Sequence, residues 1–277
     1  MYEALELCRD LGINAVEIGS NHCYEKNYSY LLDYKFEYII HNYFPIPKKS
    51  FVVNIASFND EIRDMSIKHI KGAIDFCKKI NAKLYTFHPG FITDPKGSNL
   101  TDDNYDFLWD DTRLNYKNNS TVKSLMYNSL DNIIDYASLK DVRIAIETEG
   151  SLSKKNHLLM QQPVEYEQLM ARYSSSDIGV NLNIGHLNLA SKAFGFSRSK
   201  FIDLIDSYIV AMELSHNNRI EDQHLPLRPN EWYWNTIFDS RFNKVFQILE
   251  FRNTSIKTMK DNIKLFNDKK DEFQTPK

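Results

Sequence analysis

The stretch from Asn59 to His88, NDEIRDMSIKHIKGAIDFCKKINAKLYTFH, holds one complete helix-then-strand unit. Asn59 or Asp60 offers a side-chain oxygen to cap a helix start. Ile62, Met65, His69, Ala73, Cys77 and Ile80 then recur at spacings of three and four, the period of a helix with one apolar face. Asn81 ends it, and Lys83 to His88 follows as a short apolar run that closes on a histidine.

The same grammar repeats on both sides of this unit. Seven short apolar runs are present, and six end in residue types that bind divalent metals. Tyr38-Ile39-Ile40 ends in His41, Leu84 to Phe87 in His88, and Arg143 to Ile146 in Glu147. Gly179 to Leu182 leads to Asn183 and then His186. Ile209 to Ser215 ends in His216, with Asp222 and His224 just after, and Val245 to Leu249 ends in Glu250. The remaining run, Ala15 to Ile18, stops at Gly19 and Ser20 without an obvious ligand. Apolar runs alternating with amphipathic stretches indicate βα units and a covered parallel sheet. Further helices are expected over 121–139, 164–173, 201–208 and 256–266, and no helical stretch is missing between consecutive strands, the 20–36 connection being the weakest.

A chain of 277 residues suits one large domain over 1–277, close to the roughly 250 residues of a single β/α barrel. Its first helix, Tyr2 to Leu11, would turn Leu5, Leu7, Cys8 and Leu11 inward and end at Gly12. A barrel wants a strand before that helix. Either that strand lies upstream of Met1 or the barrel has a gap, and the first is preferred, because a bare parallel edge invites aggregation.

Hydrophobic content of 42% and charged content of 26% are ordinary for a globular core. No apolar run approaches the roughly 18 residues of a membrane span, and no signal peptide is visible. The three cysteines, Cys8, Cys23 and Cys77, form no CxxC pair, which favours a reducing cytoplasm. A net charge of -3 gives no general attraction to nucleic acid or anionic membrane.

Taken singly, a histidine is usually a partly buried, hydrogen-bonded residue; His22, His69 and His157, placed in a loop, on a helix and in a long connection, fit that description. His41, His88, His186, His216 and His224 differ, because each follows a strand and parallel strands deliver their C-terminal ends to one place. With Glu147, Asp222 and Glu250 beside them, a divalent metal site is the stronger explanation of the set.

The chain resembles the xylose isomerase-like TIM barrels, a group that includes endonuclease IV and the sugar phosphate isomerases and epimerases. The likeness covers nearly the whole chain. It rests on Ile55-Ala56-Ser57, Phe87-His88-Pro89-Gly90, Ile146-Glu147-Thr148, Asn183-Ile184-Gly185-His186, His216 with Asp222 to Leu227, and Leu249-Glu250, in this order. The resemblance implies an α/β fold, a TIM (β/α)8-type barrel whose first strand is absent from this chain. It also implies one to three divalent ions, zinc or manganese. In the endonuclease branch His41, His88 and Glu147 would hold one; Glu147, residue 183, His216 and Glu250 a second; His186, Asp222 and His224 a third. In the isomerase branch a single ion would sit where Glu147, residue 183, His216 and Glu250 converge. The departure is at 183, where the family has an aspartate and this chain has Asn183. An amide oxygen can ligate but lacks the charge that such cations reward.

The leading expectation is isomerisation or epimerisation of a small sugar or sugar phosphate through an enediolate, with Glu147 and Glu250 sharing the proton transfer. His186 and Arg219 would contact substrate oxygens. Lys192 and Arg198 would hold a phosphate or remain solvated surface charge. The rival is a multi-zinc phosphodiesterase acting on abasic DNA. The connection after His88 argues against nucleic acid, because Asp94, Asp102, Asp103, Asp106, Asp110 and Asp111 face only Lys96 and Arg113 there. Tyr105, Phe107 and Trp109, with Trp232, Tyr233 and Trp234, would wall a sugar pocket or simply pack. A non-catalytic sugar-binding relative is the third reading, suggested by Asn183 alone. The oligomeric state is left open, a homo-oligomer included.

Overall fold

The computed structural model describes residues 1–20, 22–98, 107–109, 119–150 and 157–274. By internal contact the chain divides into two units, one mostly Met1–Glu147 and the other mostly Val180–Lys277.

In the first unit, α1 (Tyr2–Asp10) leads to β1 (Ala15–Ile18), which pairs parallel with β2 (Glu37–His41). β2 pairs parallel with β3 (Leu84–Phe87), and β3 with β6 (Ile144–Glu147). A small antiparallel ladder joins β4 (Gly97–Ser98) to β5 (Phe107–Leu108). Every residue of β3 and β6 is buried, as expected where both faces of a parallel sheet are covered.

The decisive unit folds as its sequence predicts. α2 (Asp60–Ile80) starts at Asn59, whose side chain accepts from the Glu61 and Ile62 N–H groups. Asp60 and Glu61 stand in its first turn and Lys78 and Lys79 in its last, each sign matched to the helix dipole. Asn81 ends it in the left-handed region, φ 56°, a conformation asparagine tolerates. Its buried face is shifted from expectation, running through Ser66, Ile70, Ala73, Ile74, Cys77 and Ile80. α3 (Asn119–Lys140) spans the predicted 121–139 helix, and Tyr136 Oη donates to both Asp75 oxygens of α2, at 2.9 and 2.8 Å.

In the second unit β7 (Gly179–Asn183) pairs parallel with β8 (Ile209–Leu214), and β8 with β9 (Phe246–Leu249). α4 (Pro163–Met170) and α6 (Arg198–Ile205) match predicted helices, and a 3-10 turn, Asp206–Tyr208, follows α6. α7 (Trp234–Ile237) and α8 (Ile256–Gln274) complete it, with Trp234 stacked on Phe238 and near Phe266 of α8. The strand order of the main sheet, β1-β2-β3-β6-β7-β8-β9, follows chain order.

Three expectations are corrected. Of the inward set for α1 only Leu5 is buried, and Leu7, Cys8 and Leu11 are half-covered. The 20–36 connection carries a 3-10 turn, Ser29–Asp33, rather than an α-helix. α5 (Ile184–Phe194), directly after β7, was absent from the predicted helices. Among the described residues no helix is long and apolar enough to cross a membrane.

Candidate metal centre

The first cluster lies within the first unit. β2 ends in His41, His88 follows β3, and β6 ends in Glu147, which is only 1% exposed. Their ligand atoms all lie within 4.8 Å of one another. Glu147 Oε2 faces His41 Nε2 at 3.6 Å and His88 Nδ1 at 3.4 Å. Thr86 Oγ1 takes the other His41 nitrogen at 2.8 Å, so its hydroxyl orients that ring, the support a ligating imidazole needs. Glu17, inside β1, also brings a carboxylate oxygen within 4.8 Å of one His41 ring nitrogen.

The second cluster lies within the second unit. Asn183 ends β7 and caps α5, its side-chain oxygen accepting from the His186 N–H at 3.1 Å. That places His186 in the first turn of α5. The His186 Nδ1–H donates to the Thr148 carbonyl at 2.9 Å, which fixes the ring and turns Nε2 toward Asp222. Nε2 lies 3.4 Å from Asp222 Oδ2, and His224 Nε2 meets the same oxygen at 2.8 Å. His186, Asp222 and His224 bring their ligand atoms within 4.8 Å of one another, and Asp222 Oδ1 is buried without a hydrogen-bond partner. His224 Nδ1 lies 2.9 Å from Glu250 Oε2, in ion-pair range but off the hydrogen-bond direction.

The electrostatics follow from this crowding. Burial works against the Asp222 charge, yet His186 and His224 outweigh it and hold its carboxyl well below the usual range. Burial likewise opposes a charged His224, but Glu250 and Asp222 push it up to about 9. With no metal bound, His224 is thus held toward its charged form between two carboxylates. Both clusters fit a divalent ion: paired imidazoles, one carboxylate each, and fixed ring orientations.

Other predicted residues fall elsewhere. His216 meets Glu231 at 3.7 Å and the Tyr233 ring at 6.2 Å, and burial, then Arg228, lower its pKa. Among the described residues it enters none of the groups whose ligand atoms converge within 4.8 Å. Arg219 is exposed, with φ 63°, and Lys192 is exposed on α5. Arg198 donates to Asn188 Oδ1 at 2.6 Å and lies over the Trp232 ring at 4.0 Å. Tyr233 and Trp234 are core residues, 1% and 3% exposed, so packing is their role. Phe107 and Trp109 pack with Phe91, and Trp109 stacks on His157 at 4.6 Å. Asp94 accepts from Asn54 and Ser57, while Asp102, Asp103, Tyr105, Asp106, Asp110, Asp111 and Arg113 lie outside the described residues.

The sequence reading missed Glu213. It is 1% exposed in β8, in register with Asn183, and accepts from Asn181 Nδ2 at 2.6 Å and Asn183 Nδ2 at 2.8 Å. The signal was available: a charged residue is the odd one out in a run as apolar as Ile209 to Leu214. Glu17 in Ala15 to Ile18 carries the same signal.

A family model for xylose isomerase-like TIM barrels matches residues 5–268. The uncharacterized protein MJ1311 of Methanocaldococcus jannaschii is 22% identical over 76% of this chain and 62% of its own length. A crystal structure of a D-tagatose 3-epimerase-like protein covers 99% of this chain and 94% of its own, with TM-score 0.77 and 18% identity. Endonuclease IV of Thermus thermophilus covers 98% of this chain and 94% of its own, with TM-score 0.61 and 15% identity. At these identities the two structures speak for the fold.

Proposed function

The chain belongs to the xylose isomerase-like TIM barrels, and from that premise we propose that it is a divalent-metal-dependent isomerase or epimerase of a small sugar or sugar phosphate. Its fold is accordingly an α/β barrel of the TIM type with seven strands in the main sheet. The single observation that carries the reading is the group of His186, Asp222 and His224, within 4.8 Å, with Glu250 against His224. The likeness to a D-tagatose 3-epimerase-like protein supports a sugar as substrate.

A divalent ion, zinc or manganese, supplies electrophilic polarisation of a carbonyl and its neighbouring hydroxyl. His186, Asp222 and His224 would hold one, and His41, His88 and Glu147 another. Glu250, whose side chain is 31% exposed, is the carboxylate with access to a substrate, and it takes the proton from the carbon beside the carbonyl. His224 and Asn183 fix its Oε2, at 2.9 and 3.3 Å, so the accepting oxygen is oriented before substrate arrives. Glu147, which holds the first cluster together, is proposed as the second proton carrier, giving the enediolate a proton of its own while the proton taken up by Glu250 returns to solvent.

The test is exchange of solvent deuterium into a panel of ketoses, aldoses and their phosphates by the zinc- or manganese-loaded protein. Exchange at the carbon beside the carbonyl supports the reading, and a metal-loaded protein that exchanges none of them sinks it. Glu250→Gln and Glu147→Gln should each lower exchange at least about 100-fold, the scale of general acid–base catalysis. Survival of activity in either variant removes that residue from the proton path.

A second reading is favoured by both His/carboxylate groups being complete, since clustered metals also suit phosphodiester hydrolysis. Cleavage of an abasic-site oligonucleotide by the zinc-loaded protein, without sugar exchange, would reverse the ranking.

A further inference from the structure

Asn183 Oδ1 faces the His186 backbone N–H at 3.1 Å. A backbone N–H can only donate, so the atom opposite it must be the amide oxygen, and this fixes the orientation of the whole carboxamide. The NH2 group therefore points the other way. It lies 2.8 Å from Glu213 Oε2 and 3.3 Å from Glu250 Oε2, which gives each of its hydrogens a carboxylate. Asn181 supplies the second amide, 2.6 Å from Glu213 Oε1, so both oxygens of a carboxylate that is 1% exposed are held by carboxamides.

An aspartate at 183 would meet different surroundings. Its cap oxygen would do the same work, but its second oxygen would face two carboxylate oxygens where the NH2 now stands. Three carboxylates at that spacing repel one another, so one must take up a proton or gain a cation beyond His224, which faces only Glu250 and Asp222. The amide removes the need, because it donates where the aspartate would repel. In sequence terms a negative charge is lost at 183 and one is present at 213, directly across the β7–β8 register.

We infer that Asn183 is a hydrogen-bond donor and not a metal ligand, that it ties Glu213 to Glu250, and that Glu213 carries the charge an aspartate would place at 183. The inference deepens the proposed function and rests on its reading of the two His/carboxylate groups. It gives that reading a number: two divalent ions per chain, one in each group, and none shared through position 183. Asn183 acts on the proposed chemistry as a positioning residue, through Glu250.

The full chain is stripped with a chelator, titrated with zinc, and melted in the metal-free state. Wild type should take two zinc ions. Asn183→Ser, which keeps a capping oxygen for the His186 N–H but has no amide, should also take two, with affinities within about threefold. Asn183→Asp should take a third, and without metal should melt at least about 5 °C below wild type. Adding Glu213→Gln to Asn183→Asp should recover most of that loss, since the glutamine amide can donate to the new carboxylate. Asn181 Oδ1, buried and without a hydrogen-bond partner, can accept the remaining hydrogen once that amide turns. Loss of a zinc ion in Asn183→Ser, or zinc binding tenfold weaker there, overturns the inference. So does an Asn183→Asp protein that is as stable as wild type without metal. A wild type that takes no zinc refutes the metal reading itself, and the metal-free stability cycle then decides this inference alone, for it if Glu213→Gln rescues and against it if not.

Discussion

His69 shows how one side chain sets a pH response without touching the site. Its ring packs 5.2 Å from Tyr43 and 5.9 Å from Phe51, and its Nε2 is buried without a hydrogen-bond partner. Burial, only partly offset by the Asn42 backbone, lowers its pKa to about 4. The unfolded chain protonates this residue near 6.5. Below that pH the unfolded state binds a proton that the folded state refuses, so the stability present above 6.5 is lost as pH falls toward 4. The loss should be on the order of 1–3 kcal/mol. His69→Phe should flatten the fall, and urea midpoints of both proteins across that window would show it; parallel curves would refute the assignment. Individual candidate residues stand out in the sequence where they end a strand: His41, His88, Glu147 and Glu250 each close an apolar run. Glu213 is marked only as the one charged residue in its apolar run, and Asn181, uncharged inside a strand, is noticed only once the neighbouring strand's residue is known. His216 also ends a strand, yet among the described residues it enters none of the converging groups. It has the right position along the chain, but its ring meets Glu231 and Tyr233, a direction no strand pattern specifies.

At the scale of elements, local chemistry decided what could be read. α2 is bounded by Asn59 and Asn81, each doing a definite job: a cap oxygen at one end, a left-handed turn at the other. Asn59→Ala should cost about 1 kcal/mol, a fall of roughly 2–4 °C in melting temperature for a chain of this size. Asn59→Asp, which keeps the oxygen and suits the helix dipole, should melt with wild type; an equal fall in both would show that the cap is not what holds the helix start. α5 escaped prediction for a physical reason. Every residue from Ile184 to Ser191 is buried, so no polar face alternates with an apolar one and the helical period leaves no trace. The local marks of that helix are its end signals, the capping Asn183 and the left-handed Gly195 after Phe194. α1 erred in the opposite sense, since its sequence has an apolar stripe of which only Leu5 is fully buried. Hydrophobic spacing reports which face a helix prefers, and not how much protein is there to cover it.

For the whole molecule, the order of strands and helices was enough to give the class of fold, because parallel strands joined by helices have few ways to cover both sheet faces. The same order predicts how stability should respond to metal. Each His/carboxylate group gathers ligand atoms within 4.8 Å of one another, where a divalent ion would bind all three. The second group already uses a charged His224 between Asp222 and Glu250, so it is stable without metal and the first group should be the more metal-dependent. Zinc at about 100 times a site's dissociation constant adds roughly 2.7 kcal/mol to the folded state, and at the same free zinc a tighter site adds more. For a chain of this size that raises the melting temperature by roughly 5–10 °C per site over the chelated protein. His88→Ala should abolish the larger part of this shift, because it opens the first group while leaving the second intact. His224→Ala should remove the smaller part and, unlike His88→Ala, should also lower the melting temperature of the chelated protein, since Asp222 and Glu250 then lose the cation between them. Scanning calorimetry of the three proteins with chelator and with zinc separates these outcomes. A melting temperature that ignores zinc in wild type would mean that the converging side chains hold no ion, and that their order along the chain reflects the barrel and nothing more.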